Sequence, residues 1–385
     1  MQLAFLAPLL DRPGPWASVY LDTDRGTEDA ARRRALIDRA AVRRLAGLGA
    51  DEATRAAVRE YLAAEAVSGS PPGRAVFAAG GEVALDVPLA AAPPDVDAAW
   101  APLPHTAPLL ALRGDTAAPC LIAAVDRTGA DLELRDLGRT TPVGTVEAPQ
   151  WQGRGHRAPP ADRYEWHYRH RREDAWDRTA GIIADHLART WPQSGARLLV
   201  LTGDARERHA VRQRLPQQLR PDTVEIDGGG RAGGTSREAF ERRLAEAWAA
   251  HRSRRLDDAL DAFRTGIGRP GEHTVTAEGV DTAPGAAAQG VPAVVDAARQ
   301  HRLATLLLQE GGHDQDRQVW VGPAPGQLGV HRNDVRRMGV AHPGQAPAAD
   351  ALLRCAAATG ADALAVPAAA PGPVGGLGAV LRRPE

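Results

Sequence analysis

The sequence predicts an α/β chain laid out as three successive blocks. Three observations carry that reading. The chain has 385 residues, of which 43% are apolar and 25% charged, enough for two or three globular cores at about 100–200 residues each. Short apolar runs of strand length alternate with stretches whose apolar residues recur at helical spacing. In the middle, a continuous apolar run leads through a turn straight into a helix, the pattern of a covered and partly parallel sheet.

Trp16 to Leu21 reads as a strand, followed by a helical stretch in which Ala31, Ala35, Ile37 and Val42 fall among paired arginines. A second helix is expected from about Asp51 to Glu65, broken by Pro71-Pro72-Gly73. Arg74–Ala79 and Glu82–Val87 make a hairpin across Gly80-Gly81, and proline-rich chain follows from Pro88 to Pro108. This first α/β domain is assigned to residues 1–115.

The middle domain, 116–270, opens with a strand at Cys120–Val125, a turn at 126–129 and an alternating strand carrying Leu132 and Leu134. After an irregular stretch, Trp176, Ala180, Ile183, Leu187 and Trp191 step along one helix face, which Pro192 and Gly195 are expected to end. Leu198–Leu201 is a buried strand, and Thr202-Gly203-Asp204 leads into a helix with Ala210, Val211 and Leu215. Thr235 to Glu238 reads as a capping box that starts a long helix with Phe240, Leu244, Trp248, Leu256, Leu260, Phe263 and Ile267 on one stripe, closing this domain. The last domain, 285–385, holds a helix at Val291–Arg299, strands at Thr305–Leu308 and Val319–Val321, a helix at Ala348–Ala358, and strands at Ala363–Val366 and Leu377–Leu381.

Composition excludes several chemistries. All 47 Lys+Arg residues are arginine and the formal net charge is -1. A Walker P-loop, a Schiff-base enzyme and a kinase each need a lysine that this chain lacks. Cys120 and Cys355 are too few for a disulfide framework or a cysteine zinc site, and are expected to be buried thiols in a reducing cytoplasm. Residues 1–10 lack the basic region of a signal peptide, and no apolar run reaches membrane-spanning length. No G-x-S-x-G occurs, and the 228–230 and 233–234 glycines lack the context of a dinucleotide site. Asp22, Asp24, Gly26 and Glu28 lack the spacing of a calcium loop. No cofactor is expected.

Residues 150–172, QWQGRGHRAPPADRYEWHYRHRR, stand apart. They hold six arginines and three histidines against one Asp and one Glu, and two of the four tyrosines in the chain. Arginines interleaved with aromatics suit phosphate neutralisation and stacking on unpaired bases. The whole segment is expected to project as a loop, since Gly153, Gly155, Pro159 and Pro160 bar regular structure from its first half and a loop of this length is usually functional. The RNA-binding set is Trp151, Arg154, His156, Arg157, Arg163, Tyr164, Trp166, Arg169, Arg171 and Arg172. Two other readings compete: aromatics that only anchor a loop whose arginines are solvated, and a metal site from His156, His167, His170 and Glu165. Neighbouring arginines repel a cation and argue against the latter.

The motifs WASVYLDTD, AAVDRTGADLEL, LLVLTGDARERHAVRQRLP and GGLGAVLRR, in that order, resemble the bacterial branch of the archaeo-eukaryotic release factor and Pelota superfamily. Within it the chain is similar to the Balon-type ribosome hibernation factors, a group also described as Vms/Ankzf-type peptidyl-tRNA hydrolases. The resemblance implies a three-domain protein with a mixed-sheet middle domain and a C-terminal L7Ae-like α/β/α sandwich. It implies a cytoplasmic, monomeric factor that occupies the ribosomal A site, touches ribosomal RNA as far as the peptidyl transferase centre, and has elongation factor Tu as a further partner.

Departures from the family pattern sharpen the functional expectation. Release factors carry Gly-Gly-Gln at the tip of this loop, where the glutamine positions water; here the stretch reads Gln150-Trp151-Gln152-Gly153-Arg154-Gly155-His156. The stop-codon motif of decoding factors contains lysine, which is missing. The first expectation is therefore a non-enzymatic hibernation or stalled-ribosome factor acting under stress. The alternatives are a peptidyl-tRNA hydrolase with Gln150 or Gln152 orienting water and His156 carrying a proton, and an RNA-binding protein that acts off the ribosome.

Overall fold

In the computed structural model, which describes residues 3–23, 30–64, 72–113, 119–136, 139–147, 164–230, 236–268 and 286–382 (with side chains undescribed at 30–33, 164–176 and 268), the chain is mixed α/β throughout. The described residues group into two units, Met1–Gly114 with Arg254–Glu385, and Asp115–Ser253. The first and last blocks read from the sequence thus share one unit.

The N-terminal segment contains α1 (Ala7–Leu10), β1 (Trp16–Asp22), α2 (Ala30–Gly47), α3 (Glu52–Ala64), β2 (Gly73–Ala79), β3 (Glu82–Leu89), β4 (Asp97–Ala101) and α4 (Leu109–Leu112). The strands form an antiparallel sheet in the order β3-β2-β1-β4. β1 is buried from Trp16 to Leu21 because both its faces are covered, and its one polar residue in that run, Ser18, is hydrogen-bonded. Ala17, Val19 and Leu21 meet Ala41, Leu45, Val58 and Leu62 of α2 and α3, while Trp16 and Tyr20 join a second core with Leu3, Leu6 and Leu9. β4 lies inside the stretch assigned above to proline-rich chain; pairing with β1 from Trp16↔Ala101 to Tyr20↔Asp97 supplies what its weak apolar pattern does not.

The middle unit contains β5 (Cys120–Val125), β6 (Gly129–Asp136), β7 (Arg139–Glu147), α5 (Tyr164–Ser194), β8 (Leu198–Gly203), α6 (Ala205–Arg214), β9 (Thr223–Glu225) and the first part of α7 (Arg237–Gly268). Its sheet runs β7-β6-β5-β8-β9, with β5, β8 and β9 parallel and β6 and β7 antiparallel. One face packs Leu121, Ala123, Val125, Leu199 and Leu201 under Ile183 and Leu187 of α5 and Val211 of α6. The other packs Cys120, Ile122, Leu198 and Val200 under Phe240, Leu244 and Trp248 of α7. Each fully buried side chain of this size contributes roughly 1.5–3 kcal/mol.

Three sequence expectations change here. The stretch 139–147 is a strand rather than irregular chain: seven of its first eight residues are exposed and Pro142 interrupts it, as an edge strand allows. Residues 164–172, assigned to the projecting loop, form the start of α5; they contain neither Gly nor Pro, so the breakers of residues 153–160 do not reach them. Pro192 lies inside α5 rather than ending it, and the helix stops at Ser194 before Gly195, whose φ is +63°.

The final segment contains β10 (Ala287–Gln289), α8 (Val291–Arg299), β11 (Leu303–Gln309), β12 (Gln318–Val321), β13 (Leu328–Gly329), α9 (Arg332–Arg337), β14 (Gly344–Pro347), α10 (Ala348–Ala358), β15 (Asp362–Val366) and β16 (Leu377–Leu381). The main sheet runs β10-β16-β11-β15 and a small antiparallel sheet runs β13-β12-β14. α8 and α10 cover one face of the main sheet. Leu260 and Phe263 of α7 pack on the other, against Leu307, Leu364 and Val366. The sequence reading assigned all of α7 to the middle domain; its second half instead completes this core, because the apolar stripe continues past residue 254.

A buried carboxylate ties the first and last segments of this unit together. Asp350 at the start of α10 is 2% exposed. It takes hydrogen bonds from the backbone N–H of Thr106 at 2.7 Å and of Ala107 at 2.8 Å, and pairs with His105 Nδ1 at 2.8 Å. His105 is itself held by the Tyr20 hydroxyl, which donates to its carbonyl oxygen at 2.6 Å, and by its own N–H, which donates to Ser18 Oγ at 2.9 Å.

Candidate nucleic-acid interface

The register of the middle sheet fixes where the basic segment departs. Val125 pairs with both Ala130 and Gly203, and Gly129 pairs with Glu147. The carboxyl ends of β5, β7 and β8 therefore lie at one end of the sheet, and the chain leaves for residues 148–163 from there. At this same end the connection from β5 turns toward β6 and that from β8 turns toward β9, in opposite directions. Such a switch point opens a crevice outside the strand ends, the usual place for ligands in an open α/β sheet.

Local chemistry shapes this end. Asp126 closes the turn after β5 by accepting from the N–H of Thr128 at 2.7 Å and of Gly129 at 3.0 Å. Gly203 has φ +108°, and a Cβ there would run into the Val125 carbonyl oxygen, so only glycine lets β8 end so close to β5. Asp204 then caps α6, its carboxylate accepting from the Arg206 N–H at 3.0 Å.

One turn into α6, two charged side chains are buried. Glu207 is 4% exposed, and its carboxylate lies 3.7 Å from the Nε of Arg127. Burial raises the Glu207 pKa, and Asp204 adds to the rise, against the opposing charges of Arg127 and Arg206. Arg208, also 4% exposed, donates from Nη2 to Asp227 Oδ1 at 2.5 Å, and that bond and charge lower the Asp227 pKa. Arg243 donates to the Asp227 carbonyl at 2.6 Å, so both arginines hold the start of the 227–230 loop. Thr202 Oγ1, Glu207 Oε1 and Arg208 Nε are buried with no hydrogen-bond partner among the described residues.

The sequence-assigned residues divide as follows. Gln150, Trp151, Gln152, Arg154, His156, Arg157 and Arg163 lie outside the described residues. Tyr164, Trp166, Arg169, Arg171 and Arg172 fall on the first turns of α5. The sequence reading gave no site role to Arg127, Thr202, Glu207, Arg208 or Asp227; Glu207 and Arg208 escaped it because Asp204–Arg214 has the composition of a solvated helix, and only the folded sheet shows them buried. Among the described residues no three His, Cys, Asp or Glu side chains gather as metal ligands, and no described helix is long and apolar enough to cross a membrane.

Residues 119–269 match bacterial archaeo-eukaryotic release factor family 2. The family resemblance carried by the sequence motifs is thus shown for the segment that holds this sheet and the basic stretch; the match does not single out the Balon-type group. Two Mycobacterium tuberculosis proteins described as uncharacterized, Rv2629 and MT2704, are each 26% identical over 379 residues, covering 97% of this chain and 95% of theirs. Among solved structures, an archaeal translation termination factor aRF1 is 15% identical with a TM-score of 0.24, covering 100% of this chain and 99% of that one. A ribosome-bound archaeal Pelota is 12% identical with a TM-score of 0.38, covering 99% and 93%. Saccharomyces cerevisiae Dom34 is 10% identical with a TM-score of 0.36, covering 69% and 63%.

Proposed function

We propose that this protein is a ribosome-associated translation factor that occupies the ribosomal A site and blocks it during hibernation or stalling, without reading a stop codon. The observation that carries the reading is the release-factor family match over 119–269, a span that includes the basic aromatic segment 150–172. Arginines 169, 171 and 172 neutralise ribosomal RNA phosphates, and Trp151, Tyr164 and Trp166 stack on unpaired bases. Elongation factor Tu is a candidate partner and the cytoplasm the site of action.

Absence of Gly-Gly-Gln from residues 148–163 favours occupancy over catalysis. The second reading, hydrolysis of peptidyl-tRNA, keeps its footing in the family to which the middle segment is matched, whose name is that of release factors. Gln150 or Gln152, with His156, are its candidate residues.

Purified protein sedimented with vacant ribosomes tests the first reading. Co-migration is expected, and a triple change of Arg169, Arg171 and Arg172 to Glu should abolish it, with a loss on the order of a hundredfold or more from the reversed phosphate contacts. Unchanged co-migration of that variant at moderate salt would overturn the proposal. A peptidyl-tRNA release assay on the same sample separates the two readings: cleavage that disappears in Gln152→Ala establishes the hydrolase, and no release above a protein-free control eliminates it.

A further inference from the structure

The unit formed by the first and last segments contains a cleft of about 310 Å³, at the small end of the roughly 300–1,000 Å³ range of ligand pockets. Its lining combines two chemistries. Arg12, His342 and Arg354 are its basic groups, and no carboxylate among the described residues lines it. The rest of the lining is mostly apolar and includes the edges of the core residues Leu9, Trp16 and Leu103 and several prolines.

Arg354 is the unusual member. It sits on α10, half-buried, and its two hydrogen bonds among the described residues go to backbone carbonyls, from Nη1 to Gly322 at 2.9 Å and from Nη2 to Pro323. An arginine has five N–H donors, so most of this fork is unused, and no carboxylate pairs with it among the described residues. Burial lowers its pKa, the sign of a cation in want of a counter-charge. By contrast Arg12, at the mouth, has an exposed partner in Glu82 at 2.7 Å, which an incoming anion can replace.

We propose that this cleft binds a compact organic oxyanion, a carboxylate or phosphate monoester on a body of about one ring. The charged head lies on the free N–H groups of Arg354, with Arg12 and His342 beside it, and the body lies on the Trp16 and Leu9 wall. A planar fork of this kind matches an oxyanion with two parallel hydrogen bonds. The apolar wall discriminates against bare inorganic ions, and the missing carboxylates remove the repulsion that would exclude an anion. The lining residues all belong to the unit of the first and last segments, and the proposal does not depend on ribosome association.

Calorimetric titration of the full chain with phenyl phosphate and, separately, with benzoate tests the site, with inorganic phosphate and phenol as controls. Saturable one-to-one binding of at least one organic anion is expected, at least about tenfold tighter than either control, and the better of the two identifies the head group that fits. Arg354→Met should weaken it by about tenfold or more. If that variant fails to fold, the double change Arg12→Gln with His342→Gln, both at exposed positions, should weaken binding severalfold while leaving the melting temperature in place. No saturable binding of either anion below about 10 mM would overturn the proposal, as would binding of phenol equal to that of the anions or affinity unchanged in the double variant. Co-migration with ribosomes should be the same in Arg354→Met as in the parent chain, so this proposal and the ribosomal one fail separately.

Discussion

Asp350 and Glu207 are both buried carboxyl groups, at 2% and 4% exposure, yet their surroundings differ. Asp350 accepts from two backbone N–H groups and pairs with His105 at 2.8 Å. Glu207 has one arginine at 3.7 Å and an oxygen without a hydrogen-bond partner. The first is a saturated charge that fastens two stretches of chain distant in sequence. The second is an unsaturated one at the switch point of a sheet. Burial by itself thus says less about a carboxyl group than the number of donors that reach it.

The largest effect that would break this contrast belongs to Asp350. Asp350→Ala should cost about 3–5 kcal/mol, because it strips partners from two buried N–H groups and from His105 at once; urea unfolding of the full chain measures it, and a loss below about 1 kcal/mol would make the cluster incidental.

The His105 ring gives a second, smaller effect. Burial pulls its pKa down, but the hydrogen bond and charge of Asp350, with Asp97 and Asp316 further off, more than offset that and leave it raised. The native state then holds the proton more tightly than the unfolded chain. This contribution to stability is complete below the unfolded value of about 6.5 and is lost as pH rises through the higher folded value. Urea midpoints should fall between pH 6 and pH 8.5, and His105→Gln should flatten that slope while costing about 1.5 kcal/mol at pH 6. A slope that persists in the variant would assign it to other groups.

Glu207 should give the smallest effect, with stability again lost as pH rises but with its substitution neutral or stabilising where that of His105 destabilises. Its raised pKa means that ionisation above the folded value weakens the native state, and that stability grows as pH falls through that value. Glu207→Gln, neutral at every pH, should match or exceed the parent at pH 8 by less than about 1 kcal/mol, with the difference shrinking toward pH 4. A clear loss at pH 8 would show that the Arg127 pair holds the sheet end together and would erase the contrast with Asp350.

Much of this architecture was legible before the structure. The runs at Trp16–Leu21, Cys120–Val125 and Leu198–Leu201 are buried strands because strands covered on both faces are apolar at nearly every position, Ser18 being the one exception in these three, and the α7 stripe showed its helix. The hairpin across Gly80-Gly81 and the helix at Ala348–Ala358 lie where the sequence places them. What failed were strands held by neighbours rather than by their own pattern, such as β7, exposed and interrupted by Pro142. The extent of the basic loop was overdrawn because glycine and proline signals from 153–160 were carried into a segment that has none. Asp350 and Glu207 were invisible for one reason: a charge reads as surface until tertiary pairing covers it.

The two cysteines carry a practical consequence. Cys120 lies on β5 in one unit and Cys355 on α10 in the other, both free and buried. Burial pushes each thiol up to about 11, so neither offers thiolate to an alkylating reagent near neutral pH while its core stays closed. Each becomes reactive only when its own core opens. Pulse alkylation of the two single-cysteine variants, Cys120→Ser and Cys355→Ser, would therefore time the opening of each core separately, with no label to attach and no lysine to compete for the reagent.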